Sequence, residues 1–217
     1  MTALSIQQYS LREEILHAVT HGIAAMLSVA ALVFLLMKVD SGPLGVLAVS
    51  LYGGAMIAMF TTSTLYHSLF ATKAAAFFKM LDHSAIYLKI AGSYAPFALI
   101  SLPLSTGVWV MIGAWGAAVL GISLKLRAFL KKTGKRFSLT SLLLYLAMGW
   151  AGVLMIVPLS EALPSAAINW IIAGGIAYTV GAGFYAAKRW PYTHFIWHLF
   201  VVAGAACHFV AIYSYVI

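Results

Sequence analysis

Long stretches of this chain carry no charge, and that limits what it can fold into. The uncharged runs 18–37, 41–72, 90–124, 137–160, 162–187 and 190–217 all reach the length a helix needs to cross a bilayer, which is roughly 20 predominantly apolar residues. Charged residues make up 8% of the 217 positions, and 63% are hydrophobic. An average soluble domain carries about 25% charged residues. The composition therefore excludes a cytosolic globular enzyme, a disordered chain and a nucleic-acid-binding domain. The formal net charge of +8 reads as a membrane-orientation signal rather than a footprint for nucleic acid. The single cysteine, Cys207, excludes a disulfide framework and any cysteine-based zinc motif.

Run 90–124 is too long for one crossing and is broken by the turn-rich Ser101-Leu-Pro-Leu-Ser-Thr-Gly107. The pattern predicts seven spans, about 17–37, 44–70, 81–101, 106–126, 138–158, 166–187 and 193–215. The first ten residues hold no Lys or Arg, so no cleaved signal peptide is expected. Placing the N-terminus in the cytoplasm puts Arg12, Lys73, Lys79, Lys125, Arg127, Lys131, Lys132, Lys135, Arg136, Lys188 and Arg189 on that side. The opposite side then holds Lys38, and Lys89 falls inside the third span. This asymmetry follows the positive-inside rule. The expectation is an all-α integral membrane protein of the bacterial inner membrane. It is a single domain over 1–217, a seven-transmembrane-helix bundle with the N-terminus cytoplasmic and the C-terminus outside.

Ionisable groups inside membrane spans are costly and mark functional sites by default. In this orientation Glu13, Glu14, His17 and His21 lie at the cytoplasmic end of the first span. Ser63 and His67 close the second, Asp82 and His83 open the third, and His194 and His198 open the last. Distant parts of the chain thus bring imidazoles and carboxylates to one depth. His194-Phe-Ile-Trp-His198 is an i,i+4 pair, which projects both rings from one helix face and suits two ligands on one metal. His17 and His21 share that spacing, and Ser63-Thr-Leu-Tyr-His67 repeats it with a hydroxyl one turn before the imidazole. Three neutral imidazoles from His67, His194 and His198 would leave one coordination position open, as in zinc hydrolases. No Glu follows the first His of the last pair, so a general base must come from another helix. Asp82 suits that role, and Ser63 suits orienting water or an oxyanion. The competing explanation is that these residues are hydrogen-bonding glue between helices.

At these residues the sequence resembles the hemolysin III family, within the wider progestin and adipoQ receptor group. The stretches are Glu13-Glu-Ile-Leu-His-Ala-Val-Thr-His-Gly22, Ser63-Thr-Leu-Tyr-His67, Leu81-Asp-His-Ser-Ala-Ile-Tyr87, Ala91-Gly-Ser-Tyr-Ala-Pro96, Pro191-Tyr-Thr-His-Phe-Ile-Trp-His198 and Cys207-His208-Phe209. The resemblance implies seven helices and one zinc ion near the cytoplasmic face. The ligands it implies are His67, His194 and His198, with Asp82 beside the zinc-bound water and Ser63 one turn before the first ligand. It also suggests hydrolysis of a lipid amide, as in alkaline ceramidases. The first motif departs from the family, which usually has Asn where this chain has His17. His17 is a further potential ligand outside the primary set, and Glu14 and His21 are expected to brace the ligands from behind. Lys89, about 10 Å deeper than Asp82 along the same helix, is expected to snorkel or to pair with a carboxylate.

The expected function is zinc-dependent hydrolysis of a lipid amide or ester, with membrane lipids as partners and no nucleic acid. The alternative is a non-enzymatic regulator or sensor of membrane state with a structural zinc. The family name suggests a pore-forming cytolysin, but permanent hydrophobic spans are unlike the amphipathic pattern of a secreted pore former.

Overall fold

The computed structural model describes residues 9–131, 137–187 and 190–217. Lys132, Lys135, Arg136, Lys188 and Arg189, on which part of the charge asymmetry rests, lie outside the described residues. Among the described residues the chain is entirely helical. The helices are α1 (Leu11–Lys38), α2 (Gly42–Ser68), α3 (Ala75–Pro96), α4 (Leu104–Leu130), α5 (Phe137–Trp150), α6 (Ile156–Ala162), α7 (Ser165–Ala186) and α8 (Thr193–Tyr215).

Local chemistry sets the helix ends. Ser10 caps α1 through a reciprocal box: the Glu13 N–H donates to Ser10 Oγ at 3.3 Å, and the Ser10 N–H donates to Glu13 Oε2 at 3.0 Å. Pro43 lies in the first turn of α2, and Pro103 and Pro164 immediately precede α4 and α7. In these positions the missing N–H costs nothing. The turn-rich break predicted near 101–107 is present. A π-helical turn, Phe97–Ser101, follows Pro96, and α4 begins at Leu104.

The fifth expected span, 138–158, is interrupted. It runs as α5, a 3-10 segment at Ala151–Met155, and then α6. Pro158 explains the break, because it cannot donate to the carbonyl of residue 154 and its ring crowds that turn.

Six helical stretches among the described residues are long and apolar enough to cross a membrane: Leu11–Lys38, Gly42–Ser68, Leu104–Leu130, Leu139–Ala162, Ser165–Ala186 and Thr193–Tyr215. The third expected span, 81–101, falls on α3 and its π-turn and is not among them, because Lys79, Asp82, His83 and Lys89 lower its hydropathy.

Burial follows membrane logic. Large apolar side chains such as Val19, Ile23, Trp109, Ile112 and Leu154 face outward, while Ala24, Tyr52, Met56, Phe60, Val201 and Ile212 fill the interior. A helix pairs most of its own backbone polar groups, the condition for life in hydrocarbon. Helices α1, α2, α3 and α8 surround the polar residues. α1 is tied to α8 at both ends. The Tyr192 N–H donates to Glu13 Oε1 at 2.9 Å at one end, and Lys38 Nζ donates to the Tyr213 carbonyl at the other.

Candidate metal centre

Three helix ends converge where α1 begins, α2 finishes and α8 begins. On α1, Glu14, His17 and His21 fall at i, i+3 and i+7 and share its buried face. On α2, Ser63 and His67 are both buried. On α8, His198 is buried and His194 partly so. α8 opens with Tyr192 at φ 61°, the one non-glycine positive φ among the described residues. Its N–H is held by Glu13, which stabilises this uncommon conformation.

The imidazoles meet nitrogen to nitrogen. His194 Nε2 lies 3.4 Å from His67 Nε2 and 3.2 Å from His198 Nε2. Two ligand nitrogens each about 2.0–2.1 Å from one tetrahedral ion stand about 3.3–3.4 Å apart, so the spacing matches a shared cation. Hydrogen bonding alone fits poorly. Glu14 Oε2 lies 2.6 Å from His67 Nδ1, so that nitrogen carries the proton and His67 Nε2 presents a lone pair. A ring nitrogen offers one proton or one lone pair, so His194 Nε2 can satisfy only one of its two neighbours. A cation within reach accepts the lone pair of each ring nitrogen instead of forcing that choice. The carboxylate behind His67 is the support that metal-ligating histidines ordinarily have.

His17 enters the same cluster. It is 0% exposed, and its ring centre lies 4.6, 4.7 and 5.0 Å from those of His67, His194 and His198. Neither of its ring nitrogens has a hydrogen-bond partner, and Nδ1 is 3.8 Å from Glu14 Oε2. Ligand atoms of His17, His67 and His194 all lie within 4.8 Å of one another, so these three could hold a metal ion.

His21 stacks flat on His198, with centroids 3.7 Å apart and planes 8° apart. Its Nδ1 meets Ser63 Oγ at 2.7 Å, and Ser63 also neighbours Asp82. Asp82, Ser63, His194 and His198 line one cavity of about 190 Å³, which continues along α3, α5, α7 and α8. His83 lies one residue from Asp82 and turns back, its Nδ1 meeting the Lys79 carbonyl at 2.6 Å. His208, ten residues beyond His198, lines the far part of the cavity.

Residues 9–209 match the family described as haemolysin-III related. The chain belongs to the haemolysin-III family. It is similar to Hemolysin-3 of Bacillus cereus, 41% identical over 208 residues that cover 95% of this chain and 93% of that one. The Hemolysin-3 homolog of Bacillus subtilis is 37% identical over 209 residues, covering 95% and 96%. The human Monocyte to macrophage differentiation factor is 28% identical over 171 residues, covering 76% and 68%, which extends the likeness to the wider group. Together with the six apolar helices, these matches make the chain a multi-pass bacterial membrane protein.

In this haemolysin-III chain, sequence reasoning missed the tyrosines near the histidines, Tyr66 beside His67, Tyr185 beside His194 and above all Tyr9. Its ring stacks on His194 at 4.9 Å and meets His17 edge-on at 4.9 Å. A faint signal exists: Tyr9 is the residue before the capping Ser10, a position from which side chains fold back over the first helical turn.

Proposed function

We propose that this haemolysin-III family protein is a zinc-dependent hydrolase of a lipid amide or ester. In this reading His67, His194 and His198 hold the ion, and Asp82 and Ser63 act on the substrate side. The observation that carries it is the approach of His67 Nε2 and His198 Nε2 to His194 Nε2, beside a cavity that also exposes Asp82 and Ser63. Bound zinc would supply Lewis acidity and a water whose pKa falls to about 7. Asp82 accepts the proton of the attacking water and returns it to the leaving group. Ser63, oriented by His21, donates to the developing oxyanion. Glu14 fixes the His67 tautomer.

The reading includes seven crossings, with the N-terminus in the cytoplasm and the C-terminus outside. α3 and its π-turn supply the seventh. Their 22 and 5 residues make a helix of about 40 Å at about 1.5 Å per residue, against a hydrocarbon core of about 30 Å. Asp82, His83, Lys89 and Ser93 of α3 line the cavity, so their low hydropathy does not oppose insertion.

A second reading is a regulator with a structural zinc, and His17 favours it. A fourth imidazole at the ion would close the site. The test measures metal content, fatty-acid release from lipid amides and esters, and the absorption spectrum of the cobalt-substituted protein. Stoichiometric zinc with turnover that Asp82→Asn abolishes supports the hydrolase. A four-nitrogen cobalt spectrum without turnover, altered by His17→Asn, supports the regulator. Purified protein without metal removes both.

A further inference from the structure

Midway along the cavity stands a polar belt that the metal centre does not use. The α3 lining starts at Asp82, passes Lys89 and continues through Ile90, Ser93 and Phe97. Lys89 is 3% exposed. Its Nζ donates to Ser93 Oγ at 2.7 Å and lies 5.0 and 5.9 Å from the ring centres of Tyr52 and Tyr178. It neither snorkels nor pairs with a carboxylate. The ion pairs among the described residues join Glu14 to His17 and His67. An ammonium has three N–H donors, and Ser93 takes one of them. A cation at this depth is costly, and aromatic faces with one hydroxyl offset only part of that cost.

The groups around Lys89 divide by what they already bind. Ser93 Oγ donates to the Lys89 carbonyl at 2.7 Å, and Tyr52 Oη donates to the Ala205 carbonyl at 3.4 Å. Tyr178 Oη is buried without a hydrogen-bond partner. His208 Nε2 lies 3.3 Å from the Ile171 carbonyl. A carbonyl only accepts, so Nε2 carries the proton and Nδ1 is left with a lone pair. That Nδ1 is also buried without a partner. The Tyr178 and His208 rings meet edge-on, with centres 5.5 Å apart. Their place is built into the α7–α8 contact. A Cβ on Gly204 would come within 2.8 Å of the Tyr178 ring, and one on Gly174 within 2.3 Å of His208. Any larger residue at either glycine would displace these rings.

Two donors, on Lys89 and Tyr178, and one acceptor, on His208, thus line the middle of one space. A hydroxyl fits all three, because it accepts through two lone pairs and donates one proton. A ketone or ester oxygen only accepts and would set its lone pairs against His208 Nδ1. The walls are apolar on both sides of the belt, with Ile86 and Val201 towards the histidines and Phe97 and Leu159 beyond. The matching hydroxyl is therefore carried inside an apolar chain and not at its end.

The helices also set its distance from the metal centre. Lys89 is seven residues beyond Asp82, and His208 is ten beyond His198. At about 1.5 Å per residue the belt lies about 10–15 Å from the histidines. Bonds between saturated carbons, about 1.5 Å long, advance an extended chain by about 1.25 Å each. A carbonyl held at the histidines therefore places the hydroxyl about eight to twelve carbons along the chain.

We propose that Lys89, Tyr178 and His208 select a hydroxyl about ten carbons along an acyl chain, so that the substrate is the amide or ester of a mid-chain hydroxylated acid. The substrate class rests on the hydrolase reading, which supplies the position of the carbonyl. The recognition of the hydroxyl rests on the belt alone.

The test is equilibrium binding of neutral N-ethyl octadecanamides to the purified full-length protein in detergent. The probes carry a hydroxyl on carbon ten, a ketone on carbon ten, a hydroxyl on carbon two, or no substituent. The carbon-ten hydroxyl should bind about tenfold more tightly than the plain amide, the scale of a charged hydrogen bond, and more tightly than the ketone. The carbon-two hydroxyl should give no gain. Lys89→Met should make the carbon-ten hydroxyl and the plain amide equivalent. Tyr178→Phe should reduce the preference about threefold and leave the plain amide unchanged. Plain-amide binding reports whether each variant keeps its cavity, and if Lys89→Met loses every probe, Tyr178→Phe decides. The proposal is overturned if the wild-type protein binds hydroxylated and plain amides alike, as it would if the three groups only hold a water. It is equally overturned if the preference survives Lys89→Met, ignores Tyr178→Phe, or extends to carbon two. Release of acid from the same probes separates the two readings. Preferential binding without release keeps the hydroxyl site and removes the hydrolase, whereas equal binding with equal release keeps the hydrolase and removes the hydroxyl site.

Discussion

The two ends of the cavity draw on the same helices and treat buried polar atoms in opposite ways. At the histidine end, α2 contributes Ser63 and His67, α3 contributes Asp82, and α8 contributes His194 and His198. At the lysine end the same helices contribute Tyr52, Lys89 and His208. The histidine end has a carboxylate behind His67, a serine held by His21, and imidazole nitrogens 3.2 and 3.4 Å from His194 Nε2. The lysine end has an ammonium and a phenol with no carboxylate beside them, together with an unpaired His208 Nδ1. A cation would complete the first, whereas the second sets its lysine against a hydroxyl and two aromatic rings. Burial alone therefore does not reveal what a polar cluster binds. The sign and type of the unsatisfied groups do.

The sharpest way to break the comparison is at the histidines. His67→Ala or His194→Ala should take bound metal from about one ion per chain to near none, measured by elemental analysis of the purified protein. Retained stoichiometric metal would show that the convergence is only hydrogen-bonding glue. Next comes Asp82→Asn, which should lower fatty-acid release about 10²–10⁴-fold, the scale of general acid–base catalysis, at unchanged metal content. Equal loss of metal would move Asp82 into the ligand set. Glu14→Gln should weaken metal affinity about 10–100-fold, read by competition with a chelator.

At the lysine end the sign reverses. Lys89→Met should leave thermal stability unchanged or raise it, by up to about 4 kcal/mol. A fall would mean that Lys89 has a protein partner after all. The smallest effect is at Tyr9. Tyr9→Ala should remove a stacking contact of about 0.5–1.5 kcal/mol and speed metal release a few-fold, followed by stopped-flow chelation.

The helices and the polarity of their faces were readable from particular residues. Uncharged runs announce α1, α2, α4, α7 and α8, because a backbone in hydrocarbon must satisfy its own hydrogen bonds. The spacing of His194 and His198 announces a shared face. The break within the fifth expected span was less visible, although Pro158 carries its cause. The spacing of His17 and His21 was visible too, but it does not say which way α1 rotates. Both rings turned out to be buried against α2 and α8, so His17 sits among the proposed ligands rather than behind them.

Lys89 shows the same boundary from the other side. Its place on α3 and its depth follow from counting residues, and snorkelling was the natural expectation for a long cationic side chain. Its direction depends on how α2, α3 and α7 pack, and they turn it towards Tyr52 and Tyr178. Periodicity is a property of one helix and can be counted along the chain. Convergence depends on the rotation and spacing of several helices, and here it rests on contacts between distant residues, 53 positions apart for Glu14 with His67 and 127 for His67 with His194.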